Sequence, residues 1–410
     1  MRFDSLVSYI RPFDSIESDL LIIIPCFNAY NDLVRHFEYL SKQSYQSFNI
    51  LVVLGYKFDD KLLFDYLSKN KFNFGIFVCR RKEDNGSAGG FFTGQKYALE
   101  MKYKYVILAE DDCHPVDKDL VEILYRNREK GYVSPMIVYI AGDYKKRGVA
   151  GPHHYTLFSR EIFQKFGLYF LPLYHGSEDV EYTERISAPR HIVHANAQHP
   201  FKLGGTVLFG IFDRSWLFLH HAIIISRNFR ATVSNLLQFA ILTAISLFFF
   251  PPYGKNVFFI TNGLLLSNTY GKKAQERIKT GFEGFISISP RLDGFLEVKE
   301  QDPAYIDLPG KAKISSILSE ALSMWRKSLK IERTYSVFKV FFYAVFSKKA
   351  YVCIDRKGYL LVCDNSFLPL HVAKLLAFCV FLPLYVLFAF TVYLPLKAVN
   401  QPKTLAYGLE

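Results

Sequence analysis

The sequence predicts an α/β fold: a parallel sheet flanked by helices in the first half, then a helical, apolar region. Three observations carry this. Short apolar runs alternate with amphipathic ones between residues 20 and 109, the pattern of βαβ units with right-handed crossovers. One such run, Tyr105-Val106-Ile107-Leu108-Ala109, ends in Glu110-Asp111-Asp112, at the strand end where open α/β sheets hold ligands. Two long uncharged stretches, residues 231–254 and 375–396, are confined to the second half.

Taken in order, residues 20–25 read as a buried strand opening into Cys26-Phe27-Asn28. Asn31 or Asp32 caps a helix running to about residue 42, with Leu33, Phe37 and Leu40 on one face. Residues 49–54 and 74–79 are further strands, with a helix over 60–70 between them. The loop Asn85-Gly86-Ser87-Ala88-Gly89-Gly90 then precedes a helix over 91–101. Glycines at such a junction admit backbone amides to a phosphate or sugar, and a helix N-terminus favours negative charge. The spacing matches neither GxGxxG nor GxxxxGK[ST], so neither dinucleotide nor P-loop binding follows, and by itself the loop is a tight turn. Beyond the acidic strand come a helix over 119–130, a strand over 133–140 and a basic segment, Lys145-Lys146-Arg147-Gly148, expected as a mobile loop. A helix over 162–166 ends at Gly167.

Adjacent carboxylates resist burial unless a cation joins them. At Glu110-Asp111-Asp112 the oxygen ligands suit Mg²⁺ or Mn²⁺ carrying a nucleotide's phosphates; the plain alternative is a solvated acidic loop. A second cluster, Glu178-Asp179-Val180-Glu181, falls in the first turn of a helix starting near Ser177. It either serves the helix dipole or aims one carboxylate into a cleft as a general base. Arg185, four residues on, pairs with Glu181. Of His191, His194 and His199, strand alternation allows one ligand and leaves two at the surface or in packing. His153-His154 and His220-His221 read as hydrogen-bonding or interface residues ahead of ligands.

A chain of 410 residues suffices for one large or two ordinary domains. With 39 Phe and 27 Tyr it is aromatic-rich for a soluble protein. The net charge of +12 suits an anionic partner, nucleotide phosphate or acidic lipid, and no zinc-finger, homeodomain or RNP pattern supports nucleic acid. The six cysteines form no CxxC pair and lie in or beside apolar runs, as free thiols in a reducing compartment do. Asp4, Asp14, Glu17 and Asp19 argue against a signal peptide.

In this order the pieces resemble a family 2 inverting glycosyltransferase of GT-A (nucleotide-diphospho-sugar transferase, Rossmann-like) fold, with galactofuranosyltransferase- and rhamnosyltransferase-like members nearest. The residues that carry the resemblance are Ile22-Ile23-Ile24-Pro25-Cys26-Phe27-Asn28, Asn85 to Phe91, Glu110-Asp111-Asp112, Phe158-Ser159-Arg160-Glu161 with Gly167, Glu178-Asp179-Val180-Glu181-Tyr182 with Arg185, a late histidine, and Arg227-Asn228. The resemblance implies Glu110, Asp112 and His199 as ligands of Mn²⁺ or Mg²⁺, with His194 the alternate, and Asp179 as catalytic base. It implies substrate contacts from Asn85, Gly86, Gly89, Gly90, Asp111, Glu178, Glu181, Arg227 and Asn228. Two departures stand out. Glu110 replaces the first Asp of the metal motif, and Gly55-Tyr56-Lys57 stands where many relatives carry an acidic residue for the nucleotide base.

The expected organisation is a catalytic domain over 1–230, a basic membrane-associated region with a small hairpin over 231–366, and a membrane helix and tail over 367–410. Basic helices are expected over 272–285 and 314–330, an aromatic-rich segment over 336–347, and the hairpin turns at Arg356-Lys357. The implied activity is transfer from a nucleotide-diphospho-sugar to a lipid-linked or cell-surface glycan, for the cell envelope. Because nucleotide-sugars are cytosolic, the catalytic domain is expected on the cytoplasmic membrane face. A polyprenyl-phosphate glycosyl synthase and a catalytically silent sugar-nucleotide-binding scaffold are the rival readings.

Overall fold

The computed structural model describes residues 1–27, 29–55, 58–83, 85–141, 144–171, 178–200, 229–249, 332–333, 349–353, 360–364, 368–404 and 407–409. The chain divides into two compact units, Met1–Lys202 with Asn400–Glu410, and Leu203–Val399.

The first unit is built on a ten-stranded mixed sheet. Its parallel block is β2 (Leu20–Cys26), β3 (Asn49–Leu54), β4 (Gly75–Arg81) and β5 (Tyr105–Ala109), in the spatial order β4-β3-β2-β5. The crossovers are α2 (Tyr30–Leu40), α3 (Asp60–Lys69) and α4 (Gly86–Glu100). Leu20 to Ile24 are all fully buried, as expected for a strand covered on both faces. Leu20, Ile22 and Ile24 pack with Leu33, Phe37 and Leu40 of α2, while Leu21 and Ile23 pack with Phe91, Phe92 and Tyr97 of α4.

The parallel sheet expected from the sequence is only half of what forms. A short helix α1 (Phe3–Leu6) leads into β1 (Val7–Asp14), which pairs antiparallel with β4 and closes that edge. On the other side, β9 (His154–Ser159) runs antiparallel to β5. Beyond it lie β7 (Tyr132–Ala141), β10 (His191–Pro200) and the two-residue β6 (His114–Pro115). The segment expected as a mobile loop is instead β8 (Tyr144–Val149), because the ten-residue β7 offers it a long antiparallel edge. Helix α2 begins at Tyr30, ahead of the expected caps, with Ala29 at its N-cap position and Asp32 in the first turn. Helix α5 (Leu120–Arg126) stops short of residue 130 in a 3₁₀ turn, Arg128–Lys130, closed by Gly131 at φ +76°.

The C-terminal residues return to this unit. The Tyr407 carbonyl accepts from the Leu168 amide at 2.8 Å, and the ring sits 4.8 Å from Phe170 and 5.9 Å from Phe92.

In the second unit, the helix Phe229–Phe249 runs antiparallel to the C-terminal helix Leu368–Thr404: Phe239 meets Tyr385, and Phe248 meets Phe378 and Phe381. Residues Pro369–Val392 are long and apolar enough to cross a membrane, with mean hydropathy 2.5. Leu376, Val380, Leu384 and Leu387 of that span are all exposed. The expected hairpin forms as β12 (Lys349–Cys353) against β13 (Leu360–Asp364), with β11 (Glu332–Arg333) beside β12. Its turn and the basic segments over 272–285, 314–330 and 336–347 lie outside the described residues.

Candidate active site

The site forms where β5 ends. Glu110 follows the last residue of that strand, and its amide donates to the His153 carbonyl at 2.9 Å, which ties the acidic loop to the start of β9. His199, near the end of β10, reaches in from the far side. Its Nε2 lies 2.9 Å from Glu110 Oε2 and 3.1 Å from Asp112 Oδ1. His154 Nε2 lies 3.2 Å from Glu110 Oε2, and His153 Nε2 lies 3.3 Å from Glu110 Oε1. The ligand atoms of Glu110, His154 and His199 fall within 4.8 Å of one another.

Helix α6 (Arg160–Phe166) follows β9, and Asp179 comes from the next helix, α7 (Glu178–Arg185). Its Oδ2 lies 3.8 Å from the same His153 Nε2, so the two acidic clusters meet across one imidazole. That ring is held flat against Phe91 (5.4 Å), which stacks on Tyr169, which stacks on Tyr182 of α7. Gln95 of α4 completes the support. Its Oε1 accepts from the Tyr169 amide and its Nε2 donates to the Tyr182 hydroxyl. One buried aromatic stack thus positions both the histidine and the helix that carries Asp179.

The charges respond to this crowding. Burial works against ionisation of Glu110, and His153 and His154 outweigh it, holding the carboxyl well below the usual range. Burial pulls His199 down, but Asp112 and Glu110 more than reverse that and raise it to about 10. His153 is likewise raised, by Glu110 and Asp179 against burial, whereas burial prevails at His154 and lowers it. Beneath the loop, fully buried His36 bonds the Tyr155 hydroxyl and lies 3.3 Å from the Asp111 carbonyl.

The other expected residues fall as follows. Asn85 is the N-cap position of α4, and Gly86 already belongs to the helix, at φ +62°. The Gly86 carbonyl accepts from Arg81 at 2.9 Å. Gly89 and Gly90 are buried in the first turns. A Cβ on Gly89 would sit 2.4 Å from Asn85 Cβ, and one on Gly90 2.6 Å from Pro25 Cβ. Glu178 is buried; one oxygen accepts from the Ser87 hydroxyl, and Oε2 has no partner among the described residues. Both oxygens of Glu181 bond Arg185, at 2.7 Å each. His194 is exposed, and His199 lies against Glu110 and Asp112. Arg227 and Asn228 lie outside the described residues.

Sequence reasoning passed over His153 and His154 as parts of the site. Gly151-Pro152 marks a turn ahead of them, but only the pairing of Ala109 with His154 brings them to the acidic strand.

A divalent cation fits these residues. Mixed imidazole and carboxylate donors converge, and the buried His199 Nδ1 has no hydrogen-bond partner among the described residues.

No curated protein matches the sequence. Among solved structures, S. aureus TarS 1–349 in complex with UDP is 8% identical, covering 66% of this chain and 91% of that one, with a TM-score of 0.38. Mannosyltransferase PcManGT from Pyrobaculum calidifontis, in complex with GDP-Man and Mn²⁺, is 12% identical, covering 68% and 90%, with a TM-score of 0.41. Residues 21–177 match the family model for glycosyl transferase family 2. That stretch holds Glu110, Asp112, His153 and His154 and stops just before Glu178.

Proposed function

We propose that the protein is a divalent-metal-dependent, inverting glycosyltransferase that moves a sugar from a nucleotide-diphospho-sugar to a lipid-linked or cell-surface glycan at the cytoplasmic membrane face. The observation that carries this is the meeting of two acidic clusters at His153: Glu110 with Asp112 and His199 on one side, Asp179 on the other.

Glu110, Asp112 and His199 hold Mn²⁺ or Mg²⁺ in this reading. When bound, the cation neutralises the diphosphate as charge develops on it. The first turn of α4, at Asn85 to Ser87, and the part-exposed Asp111 face the donor; buried Gly90 lets α4 approach β2 closely enough to put that turn there, and Gly89 leaves room for the Asn85 and Arg81 side chains. Asp179 accepts the proton of the acceptor hydroxyl. The hydroxyl oxygen bonds to the anomeric carbon, the bond from that carbon to the diphosphate oxygen breaks, and configuration inverts. Glu178 accepts from the Ser87 hydroxyl and so ties α7 to the first turn of α4, and Glu181 fixes α7 through Arg185. The exposed apolar span Pro369–Val392 supports the membrane assignment.

The test is a screen of radiolabelled nucleotide-sugars, galactofuranosyl and rhamnosyl donors included, on membranes containing the full chain. EDTA should abolish transfer and Mn²⁺ or Mg²⁺ restore it; transfer indifferent to chelation overturns the metal assignment. Asp179→Asn should remove transfer to a hydroxyl acceptor. Retention of activity would point instead to an ionised lipid-phosphate acceptor, which needs no base.

A further inference from the structure

His154 clusters with the candidate ligand atoms, yet its own hydrogen bonds give it another part. Its Nδ1 receives the backbone N–H of Gly151 at 3.1 Å. A backbone N–H can only donate, so Nδ1 is the unprotonated nitrogen of the ring. The proton of the neutral ring therefore sits on Nε2, which faces Glu110 Oε2 at 3.2 Å. A ring nitrogen that carries a proton has no lone pair for a cation. We propose that His154 is a positioning residue, held in the Nε2–H tautomer by Gly151 to orient the Glu110 carboxylate, and is not one of the ion's ligands. This rests on the reading of the Glu110–Asp112–His199 cluster as a cation site.

The local backbone is built for this placement. The His154 amide returns a bond to the Gly151 carbonyl at 3.1 Å, closing the turn. A Cβ on Gly151 would stand 3.0 Å from His154 Nδ1, so any larger residue crowds the ring away from the amide. At the start of β9, Leu108 pairs with Thr156 and Ala109 with His154, which leaves Tyr155 as the extra residue of a bulge, at φ +62°. Such bulges break strand alternation and re-aim a side chain beside a site. Here the re-aimed side chain is His154, and the Tyr155 hydroxyl is held from below by His36.

The experiment uses the full chain and Mn²⁺ itself, with free ion counted by electron paramagnetic resonance. His154→Ala should weaken Mn²⁺ binding roughly tenfold or more, the usual effect of losing a partner that orients a ligand. His154→Gln keeps an N–H donor and should stay within about threefold of the parent. In ¹⁵N-histidine-labelled protein saturated with diamagnetic Mg²⁺, the signal that His154→Gln removes should be that of a protonated Nε2. Gly151→Ala should shift that signal. Equal losses in the Gln and Ala variants, or a coordinated Nε2 in the spectrum, overturn the proposal even if Gly151→Ala fails to fold. A parent protein that binds no Mn²⁺ overturns the cation reading as well, so the two failures are told apart.

Discussion

Glu181 and Asp179 are two residues apart and have different partners, Arg185 and His153. Arg185 takes both oxygens of Glu181 and donates two further N–H groups to the carbonyls of Phe166 and Leu168, with both side chains buried. Removing one partner of a buried pair strands the other charge and costs about 3–5 kcal/mol. Glu181→Gln should therefore unfold at markedly lower temperature, whereas Asp179→Asn should melt as the parent does and lose turnover. Thermal unfolding measured beside transfer activity separates the two; a Glu181→Gln protein that melts normally yet is inactive would return Glu181 to the substrate. The pairing itself was legible from the four-residue spacing. Which of Glu178, Asp179 and Glu181 stays available was not, because that depends on the face of α7 that Tyr182 turns onto Tyr169.

At the scale of elements, the parallel block β4-β3-β2-β5 was readable because buried parallel strands are continuous apolar runs. The other half was not, since β9 pairs antiparallel with β5 and β7 while β10 pairs parallel with β7, and such strands find their neighbours by register and not by composition. The glycines of α4 show the same limit. Gly90 and Gly94 lie four apart and face β2, where a Cβ on Gly94 would come within 2.2 Å of Ile23 Cγ2, so they serve helix–strand contact more than loop flexibility. His36 joins three elements, α2, the acidic loop and the β9 bulge, and burial is the main cause that lowers it to about 3. An unfolded histidine titrates near 6.5, so between that pH and about 3 the unfolded chain binds a proton the folded one refuses. Stability from this site is complete above pH 6.5 and falls as pH drops, by up to about 1.4 kcal/mol per unit. His36→Gln should flatten that acid limb. Equal losses of melting temperature between pH 7 and pH 5 in parent and variant would show that the joint does not titrate in this way.

The whole molecule is organised by a chain that leaves its first unit after Lys202 and rejoins it at Asn400. The return is specific: Tyr407 inserts between Phe92 and Phe170, its carbonyl takes the Leu168 amide, and Gly408 adopts φ +80° where a Cβ would strike Phe92. Phe92 belongs to α4 and Leu168 leads to Tyr169, so the tail braces the same aromatic stack that supports His153. A compact unit cannot straddle a bilayer, because its buried polar backbone would have to enter hydrocarbon. In the membrane reading proposed above, the C-terminal end of the helix Leu368–Thr404 lies on the same membrane face as Glu110 and Asp179. Single cysteines placed before Met1 and after Glu410 in a cysteine-free full chain should both be labelled from one and the same membrane face. Labelling of the two ends from opposite faces would separate the tail from the first unit. Tyr407→Ala, which removes a half-buried ring worth about 2 kcal/mol or more, should then leave melting unchanged instead of lowering it.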